Sequence, residues 1–376
     1  MTARHLLQGQ LAAAAAHGFE VAVASAPGAD LDAVAVRDPV TIFPIAMVRE
    51  IAPIADLRAV VKLAEGMRRW RPDVVNAGTP KAGLLGMIAA RLVGVPVRIY
   101  TLRGLRLDTT TGRTRALLSA TERLAAASAH RVVAVSHSLA ERVVELGLAS
   151  AEKVTVLAEG ASNGVDVERF ASPDVTAVAG LRKRIGLPDG TPVVGFVGRF
   201  TRDKGIAELV EAFERVGEAR PDARLLLVGD YEDGDSVGDA VRARIEADPR
   251  IVRAGFLPDA APAYALMDVL AFPSHREGFP NVPLEAAAAG LPVVGASATG
   301  TVDAVVHGET GALVPVGDAD ALAAALGRYL DDPGLARRHG AAGRRRVEAH
   351  FTNERVWAAL FDEVDRLLHA AGLPTA

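Results

Sequence analysis

Residues 272–300, FPSHREGFPNVPLEAAAAGLPVVGASATG, predict a strand, a loop, a helix and a second strand in succession. An apolar run ends at Phe272, a loop occupies residues 275–281, and residues 284–289 favour a short helix. Residues 290–292 (GLP) end that helix, and residues 293–295 (VVG) begin the next strand. Such a unit is one crossover of a parallel sheet, so the stretch predicts an α/β fold.

Two glutamates of this unit, Glu277 on the loop and Glu285 on the first turns of the helix, are expected to face one crevice. In open parallel sheets, ligands bind outside the carboxyl ends of the strands, where a helix N-terminus offers free amides and a positive dipole end. Gly278 lets a ligand approach the backbone closely, and Asn281 is the predicted N-cap. The pattern favours a phosphate with an attached sugar; a pair of solvated surface glutamates is the alternative.

Length and composition limit the class of protein. A chain of 376 residues, 50% hydrophobic and 23% charged, exceeds what one core usually holds, so we expect two domains. Its net charge of -4, with basic residues scattered among acidic ones, argues against nucleic-acid binding. The absence of cysteine excludes disulfides, thiolate catalysis and cysteine-ligated metals. No apolar run reaches the roughly 18 residues of a membrane-spanning helix, and the alanine run at residues 12–16 is too short for a signal peptide, so we predict a cytoplasmic protein.

Strand-like and helix-like segments alternate in the first half of the chain, which predicts a mainly parallel sheet. The predicted strands lie at residues 20–25, 40–45, 74–77, 97–102, 131–136 and 153–157, and the predicted helices at residues 4–17, 54–70, 81–93, 113–129 and 138–146. Doubly wound domains normally begin with a strand, and residues 1–4 are too few to form one before the first helix. We therefore expect either that the first N-terminal strand is absent because the recorded start is late, which we favour, or that the sheet is filled in another way.

A turn-rich linker is predicted at residues 158–176, which lack apolar periodicity and carry glycines and a proline. A second alternating series follows, with predicted strands at residues 193–197, 224–228, 251–254, 269–272, 293–295 and 311–314, and helices at residues 206–219, 237–247, 260–267, 319–330, 333–350 and 355–370. We place the domains at residues 1–170 and 171–350, with residues 351–376 forming a helix that packs back on the first domain. Two such domains predict a ligand site in the cleft between them.

Two basic residues lie at one strand end in the second half. Arg199 follows the strand at residues 193–197 after Gly198, and Lys204 opens the next helix. A guanidinium and an ammonium group at one strand end suit a diphosphate. No Ser or Thr follows Lys204, so this is not a Walker A loop, and no Gly-x-Gly-x-x-Gly opens a helix. For this pair taken alone, ordinary surface charges are the alternative.

Together, these motifs resemble the family 4 retaining glycosyltransferases of the GT-B fold, including those of bacterial surface polysaccharides. The resemblance rests on Gly198-Arg199 with Lys204-Gly205, on residues 277–281 (EGFPN) with Glu285, and on residues 290–294 (GLPVV). It extends to residues 163–166 (NGVD) and residues 79–83 (TPKAG), and so covers nearly the whole chain.

The resemblance implies two Rossmann-like domains that face an interdomain cleft and a nucleotide-diphosphate-sugar donor, for which we predict a UDP-sugar. Arg199 and Lys204 would hold the diphosphate, Glu285 the ribose and Glu277 the sugar. The predicted catalytic residues are therefore Arg199, Lys204 and Glu277, and the predicted donor-binding residues are Gly198, Gly278, Phe279, Asn281 and Glu285.

Fixed cations would stabilise the negative charge that develops on the departing nucleotide, so we predict neither a metal ion nor a cofactor. Three aspartates that could be mistaken for metal ligands, Asp230, Asp233 and Asp235, are interpreted as a solvated loop.

The acceptor half departs from the family pattern. Family members often carry histidines in the loop before residue 79 and after the strand that ends at Leu102, where this chain has Asn76, Gly78 and Arg103. No histidine base is assigned there, and enzymes of this kind are thought to use the leaving phosphate as the base. On the acceptor side we place Lys81, Arg103 and His137. The cluster of Arg103, Arg106, Arg113 and Arg115 suits a phosphorylated or lipid-diphosphate acceptor, and a solvated basic loop explains it equally well.

Residues 67–71 (MRRWR) and 42–47 (IFPIAM) are candidates for a peripheral contact with the inner membrane face, although an amphipathic helix beside a core strand explains them equally well.

We predict a metal-independent retaining transferase that moves a sugar from a UDP-sugar to a glycan or lipid-linked acceptor. A sugar-nucleotide 2-epimerase of the same architecture is the second enzyme candidate. A non-catalytic nucleotide-sugar-binding subunit is the alternative from another class.

Overall fold

A computed structural model describes residues 7–48, 51–232 and 237–376, which fold into two compact units. One unit comprises Met1–Gly164 with Asn353–Ala376, and the other comprises Val165–Thr352. The sequence places the domain boundaries at residues 170 and 350, a few residues from these divisions.

The first unit is built from helices and parallel strands in alternation. Its strands are β1 (Ala22–Ser25), β2 (Thr41–Pro44), β3 (Val74–Gly78), β4 (Val97–Leu102), β5 (Arg131–Ala134) and β6 (Val154–Thr155), and its helices are α1 (Gln10–His17), α2 (Ala29–Arg37), α3 (Pro53–Trp70), α4 (Pro80–Val93), α5 (Gly112–Ser128) and α6 (His137–Glu145). The strands form a four-stranded sheet of order β3-β4-β5-β6 and a separate pair, β1-β2. Residues 1–4, for which the sequence predicts no strand, lie outside the described residues.

The C-terminal helix completes the first unit. It spans Asn353–Ala370 and is numbered α16 in the whole chain. Its Val364 and Leu368 pack into one buried cluster with Val97 and Ile99 of β4, and the ring of Trp357 lies against Gly9 before α1. The helix therefore buries its apolar face against both the sheet and the first helix of this unit.

The second unit holds one six-stranded parallel sheet of order β12-β11-β10-β7-β8-β9. Its strands are β7 (Val193–Val197), β8 (Arg224–Val228), β9 (Ile251–Gly255), β10 (Val269–Phe272), β11 (Val293–Ala296) and β12 (Gly311–Val314), and its helices are α7 (Val167–Ala171), α8 (Val175–Arg184), α9 (Ile206–Ala219), α10 (Asp239–Ala247), α11 (Ala261–Tyr264), α12 (Asn281–Ala288), α13 (Thr301–Ala304), α14 (Ala319–Asp331) and α15 (Pro333–His350). The order reverses between β7 and β10, and ligands of doubly wound sheets bind outside the carboxyl ends of strands at such a switch point.

The predicted crossover at residues 272–300 is confirmed, because β10 and β11 are parallel neighbours joined through α12. The prediction of Asn281 as N-cap is wrong: α12 begins at Asn281, its N-cap is Pro280, and no side chain caps it. The proline fixes the extended backbone that precedes the first turn, so the helix starts one residue earlier than the polar signal indicates.

The predicted turn-rich linker is only partly irregular, since α7 lies within residues 158–176 and α8 begins there. The side chain of Asp166 caps α7 by accepting a hydrogen bond from the Arg169 amide at 3.2 Å, and that of Asp174 caps α8 through the Thr176 amide at 2.8 Å. Five helical residues are too few to show a period of 3.6, which explains why the sequence did not indicate α7. Helix α2 was missed for a similar reason, because it buries only Leu31 and Val34.

Among the described residues, no helix is both long enough and apolar enough to cross a bilayer.

Candidate functional site

Two loops of the second unit meet at the switch point between β7 and β10. A short 3-10 helix, Arg202–Lys204, follows β7, and Gly205 begins the turn into α9 with φ 70°. The Asp203 carbonyl accepts a hydrogen bond from the His275 amide at 2.9 Å. A Cβ on Gly205 would lie 2.2 Å from the Pro273 carbonyl oxygen, so only glycine allows the two backbones this approach.

The most direct contact between these loops joins two predicted catalytic residues. The ammonium group of Lys204 forms an ion pair with Glu277 Oε1, and both side chains are largely buried. The Ser274 hydroxyl donates a hydrogen bond to the same carboxylate oxygen at 2.7 Å. The backbone amide of Glu277 is held by the Thr299 carbonyl at 3.1 Å. Lys204 and Glu277 are thus brought together, as their positions at two strand ends predict.

A second carboxylate, that of Asp203, fixes the rest of this loop. The Asp203 carboxylate accepts hydrogen bonds from the Thr201 hydroxyl at 2.6 Å and from Arg276 at 3.2 Å. Burial by itself would raise the pKa of Asp203, but the Thr201 hydrogen bond and the charges of Lys204 and Arg276 outweigh it and lower that pKa. The carboxylate therefore stays ionised and holds the loop beside Lys204.

His275 forms a 2.8 Å contact with Glu208 of α9 rather than standing free in the loop. The hydrogen bond to Glu208 raises the pKa of His275, and the same bond lowers the pKa of Glu208. The histidine thus anchors the loop after β10 to the first turn of α9, and the geometry gives it a structural role.

Glu285 lies on the first turns of α12, and its partner is Tyr264 of α11. The Tyr264 hydroxyl donates a hydrogen bond to the Glu285 carboxylate at 2.7 Å. Burial raises the pKa of Glu285, while the Tyr264 hydrogen bond works in the opposite direction. Burial and the neighbouring Glu285 charge raise the pKa of Tyr264 well above its usual value. A fully buried tyrosine therefore holds this carboxyl group in a fixed orientation.

Arg199 is brought to the same edge of the sheet but has a partner of its own. It follows Gly198 after β7, and its guanidinium pairs with Glu232, which follows β8. Half of the Arg199 side chain is exposed, so the group is accessible. The prediction that Arg199 and Lys204 meet one anion is not tested by these contacts, since each cation is held by a different carboxylate.

The remaining donor-side residues lie on the loop and helix after β10. A Cβ on Gly300, where φ is 77°, would lie 2.3 Å from the Gly278 carbonyl oxygen, so the loops after β10 and β11 touch through backbone. Phe279 is buried, with its ring centroid 5.3 Å from that of Phe351. Phe279 is therefore a packing residue that fixes the loop, and Asn281 opens α12 behind it.

The aspartates after β8 are only partly described. Asp233 and Asp235 lie outside the described residues, and Asp230 is 3.7 Å from Arg253. In the described ranges, no group of three or more histidine or acidic side chains is arranged to hold a metal ion.

The residues assigned to the acceptor side lie at the carboxyl ends of β3, β4 and β5 in the first unit. Lys81 opens α4 and is paired with Asp56 of α3 at 2.6 Å. Arg103 follows β4, and its Nε would be 3.1 Å from a Cβ on Gly78. His137 is the first residue of α6. Lys81 is thus engaged in an ion pair that the sequence did not indicate.

The guanidinium group of Arg103 differs from the other acceptor-side groups in its hydrogen bonding. Within the described ranges its Nη1 is buried and has no hydrogen-bond partner. Burial lowers the pKa of its guanidinium to about 10, which leaves it charged at neutral pH. A buried polar group without a hydrogen-bond partner is costly, and such groups are candidates for ligand binding.

Sequence reasoning missed several partners in these sites. Tyr264 and Glu232 contact residues 21 and 33 positions away, and local patterns carry no information about such pairs. The sequence did carry a signal for Ser274, because it is a small polar residue two positions after the end of a buried strand.

Comparison with known proteins assigns the class. The profile of the family described as "Glycosyl transferases group 1" matches residues 191–332, which contain the switch-point site. The profile described as "Glycosyl transferase 4-like domain" matches residues 3–160. The site and both halves of the chain therefore have the features of a glycosyltransferase of the GT-B fold.

Individual relatives agree with this class. The chain is 36% identical to the capsular polysaccharide biosynthesis glycosyltransferase CapM of Staphylococcus aureus, over 94% of this chain and 92% of the relative. It is 29% identical to the UDP-Gal:alpha-D-GlcNAc-diphosphoundecaprenol alpha-1,3-galactosyltransferase of Escherichia coli, over 76% of this chain and 73% of the relative. The protein belongs to the group 1, or family 4, glycosyltransferases.

Solved structures confirm the fold. The structure of Anabaena HepE in complex with UDP superposes with a TM-score of 0.79 over 96% of both chains, at 23% identity. At this identity the likeness establishes the GT-B fold and leaves the substrates to the residues of each site.

Proposed function

We propose that this glycosyltransferase moves a sugar, with retention at the anomeric carbon, from a UDP-sugar to a lipid-linked glycan at the cytoplasmic face of a membrane, as a step in surface polysaccharide assembly. The observation that carries the proposal is the Lys204–Glu277 ion pair at the switch point of the second sheet, with the Glu285–Tyr264 hydrogen bond on the adjoining helices.

The donor diphosphate would take the place of a carboxylate. Lys204 is held by Glu277, and Arg199 by Glu232, so each cation is already in a position that stabilises negative charge. A diphosphate bound there would engage both cations and release the Glu277 carboxylate to accept hydrogen bonds from sugar hydroxyls. Charge-assisted bonds of this kind contribute about 1.5–3 kcal/mol each.

The nucleoside would be bound through Glu285. Its carboxylate is held by Tyr264 and has acceptor capacity left for the two ribose hydroxyls. The E. coli relative is named for UDP-Gal, which supports uridine as the base.

In the chemical step, the protein contributes only fixed charges. The bond between the anomeric carbon and the diphosphate oxygen breaks, and its electron pair leaves with UDP. Lys204 and Arg199 stabilise that developing charge. The acceptor hydroxyl attacks the same face of the sugar and passes its proton to the departing phosphate oxygen, so configuration is retained. Because the two cations supply the charge, we propose that the reaction is metal-independent.

An anionic acceptor would supply a hydrogen-bond partner for the Nη1 group of Arg103. The guanidinium lies at the carboxyl end of β4, and within the described ranges its buried Nη1 has no partner. A lipid-linked diphosphate carries the matching charge, and the E. coli relative is named for a diphosphoundecaprenol acceptor.

The proposal is tested by incubating the protein with UDP-, GDP- and ADP-sugars in EDTA, with and without an N-acetylglucosaminyl polyprenyl diphosphate. We expect release of UDP alone, acceleration by the lipid and an α-linked product. Binding of a UDP-sugar without release of UDP would support a non-catalytic subunit. Conversion of the UDP-sugar to its 2-epimer in the absence of an acceptor would support an epimerase. Either result overturns the proposal. Arg103→Gln should raise the KM for the lipid and leave that for the donor unchanged, whereas Arg337→Gln, at an exposed position outside both sites, should change neither.

A further inference from the structure

An exposed apolar row lies on the first half of α3. The exposed fractions of Ile54, Leu57 and Val61 are 71%, 66% and 48%, and that of Ile51, just before the helix, is 64%. The helical residues are spaced by three and four positions, so they form one line along the helix. Apolar side chains clustered in this way, unlike single exposed ones, mark an interaction surface.

A basic row runs beside the apolar one. Arg58, Lys62 and Arg69 are exposed and follow a neighbouring line at spacings of four and seven. Arg68 is exposed at the C-terminal end of the same surface, which also carries the exposed acidic residue Glu65. Asp56 is neutralised by Lys81 at 2.6 Å. The exposed face therefore combines apolar side chains with a clear excess of positive charge.

The opposite face of α3 is fully used by the core. Ala59, Val60, Leu63 and Ala64 are buried in a cluster with residues of α4. The exposed row is thus additional to the apolar stripe that folding requires of this helix.

This surface shares only the exposed Arg68 and Arg69 with the segments that the sequence suggested for membrane contact. Phe43 and Met47 of residues 42–47, and Met67 of residues 67–71, pack against the core cluster of α3 and α4. The rings of Phe43 and Trp70 are 6.3 Å apart in an edge-to-face contact. These apolar side chains therefore pack partly inside the unit, and the exposed apolar row of α3 lies elsewhere on the helix.

We propose that the α3 face, defined as Ile51, Ile54, Leu57 and Val61 with Arg58, Lys62 and Arg69, binds an anionic phospholipid bilayer. The apolar row enters the boundary between headgroups and acyl chains, while the basic row contacts lipid phosphates. Each Lys or Arg at an anionic surface strengthens binding by about fivefold, so the three cations matter as much as the apolar contacts. The inference rests on the proposed lipid-linked acceptor, whose tail remains in the bilayer.

Charge favours a bilayer over a second copy of the chain. A twofold dimer through this face would place the basic row of one copy against that of the other, and like charges in a closed contact oppose association. An anionic lipid surface complements the same row.

The test is flotation of the full-length protein with phosphatidylcholine vesicles that contain or lack phosphatidylglycerol. We expect binding to the anionic vesicles that weakens with added salt. The double substitution Ile54→Gln with Leu57→Gln should reduce the bound fraction at least tenfold. Val36→Gln is the matched control, because Val36 is 90% exposed on α2 of the same unit and lies outside the face.

Charge is tested separately. Arg58→Gln with Lys62→Gln should weaken binding to the anionic vesicles by about 25-fold, and the binding that remains should depend less on salt. Arg337→Gln with Arg338→Gln, which removes the same charge from exposed positions on α15, should have little effect.

Three results would overturn the docking surface: no binding of the wild type to anionic vesicles, equal binding by the wild type and the α3 variants, or a wild-type dimer in sedimentation that the α3 substitutions dissociate. UDP binding by the same preparations is measured in parallel. Retained UDP binding without vesicle binding refutes the docking surface alone, whereas loss of UDP binding in the wild type refutes the proposed function.

Discussion

Lys204 and Glu277 are 73 positions apart in the chain and form an ion pair where the loops after β7 and β10 meet. Ser274 donates a hydrogen bond to the same Glu277 oxygen at 2.7 Å, so the carboxylate is held by two side chains. In the proposed mechanism this pair must separate when a diphosphate binds, and both members then contact the donor. Substitution of Lys204 and substitution of Glu277 should therefore have different effects on UDP binding and on turnover.

Glu277→Gln should separate sugar recognition from diphosphate binding. The substitution removes the charge that competes for Lys204, so UDP should bind about two- to tenfold more tightly. The sugar loses a charged acceptor, so turnover of the UDP-sugar should fall at least tenfold. Calorimetry with UDP and the rate of UDP release measure the two effects. Weaker UDP binding with unchanged turnover would assign Glu277 to the nucleotide instead.

Glu285→Gln should weaken UDP binding about tenfold, because the amide is a poorer acceptor for the ribose hydroxyls than the carboxylate. The Tyr264 hydroxyl can still donate to the amide oxygen, so the fold should be kept. The loss should vanish for 2′,3′-dideoxyuridine diphosphate, which lacks those hydroxyls. An equal loss for both nucleotides would place Glu285 away from the ribose.

Gly205→Ala tests the close approach of the two loops. The new methyl group would lie 2.2 Å from the Pro273 carbonyl oxygen at a φ of 70°. Gly190→Ala is a matched control in the same unit, since its φ is 71° and nothing lies within 4 Å of the new carbon. We expect the control to cost about 1–2 kcal/mol from backbone strain alone. Gly205→Ala should lower the urea midpoint clearly further and weaken UDP binding; equal midpoints would mean that the loops adjust freely.

The His275–Glu208 pair predicts a pH-dependent contribution to stability. The pKa of His275 is raised from 6.5, so its contribution is complete below that pH and is lost as the pH rises through the folded value. The pKa of Glu208 is lowered from 4.5, so its contribution is present above that pH and is lost as the pH falls through the folded value.

His275→Gln should therefore cost roughly 0.5–1 kcal/mol near pH 5.5 and less near pH 8.5. Thermal midpoints of both proteins at the two pH values measure the difference, and Glu208→Gln should cause a similar loss at the lower pH. A cost that is the same at both values would show that the pair contributes through its neutral hydrogen bond only.

The sequence predicted the second sheet closely, because long apolar runs bounded by glycine or proline define strands without reference to distant contacts. Four strands there, β7, β8, β10 and β12, match their predicted bounds. The position of Lys204 and Glu277 at one edge followed from the rule that parallel strands share their carboxyl ends.

The ion-pair partners and the pairing of short strands could not be predicted from the sequence, for physical reasons. Nothing local distinguishes Glu232 as the partner of Arg199, or Asp56 as the partner of Lys81, since these pairs exist only after the sheets assemble. The separation of β1-β2 from the sheet of β3 to β6 likewise depends on pairing rather than on apolar pattern.

Calorimetric titration of the wild type and Lys204→Ala with UDP tests most directly the claim that the switch-point site holds a nucleotide diphosphate. Lys183→Ala, at an exposed position on α8 of the same unit, is the control. We predict that Lys204→Ala weakens UDP binding by about 10- to 100-fold, as expected for the loss of one charge-assisted contact, while the control binds as the wild type does. Equal UDP affinity in all three proteins would contradict the account.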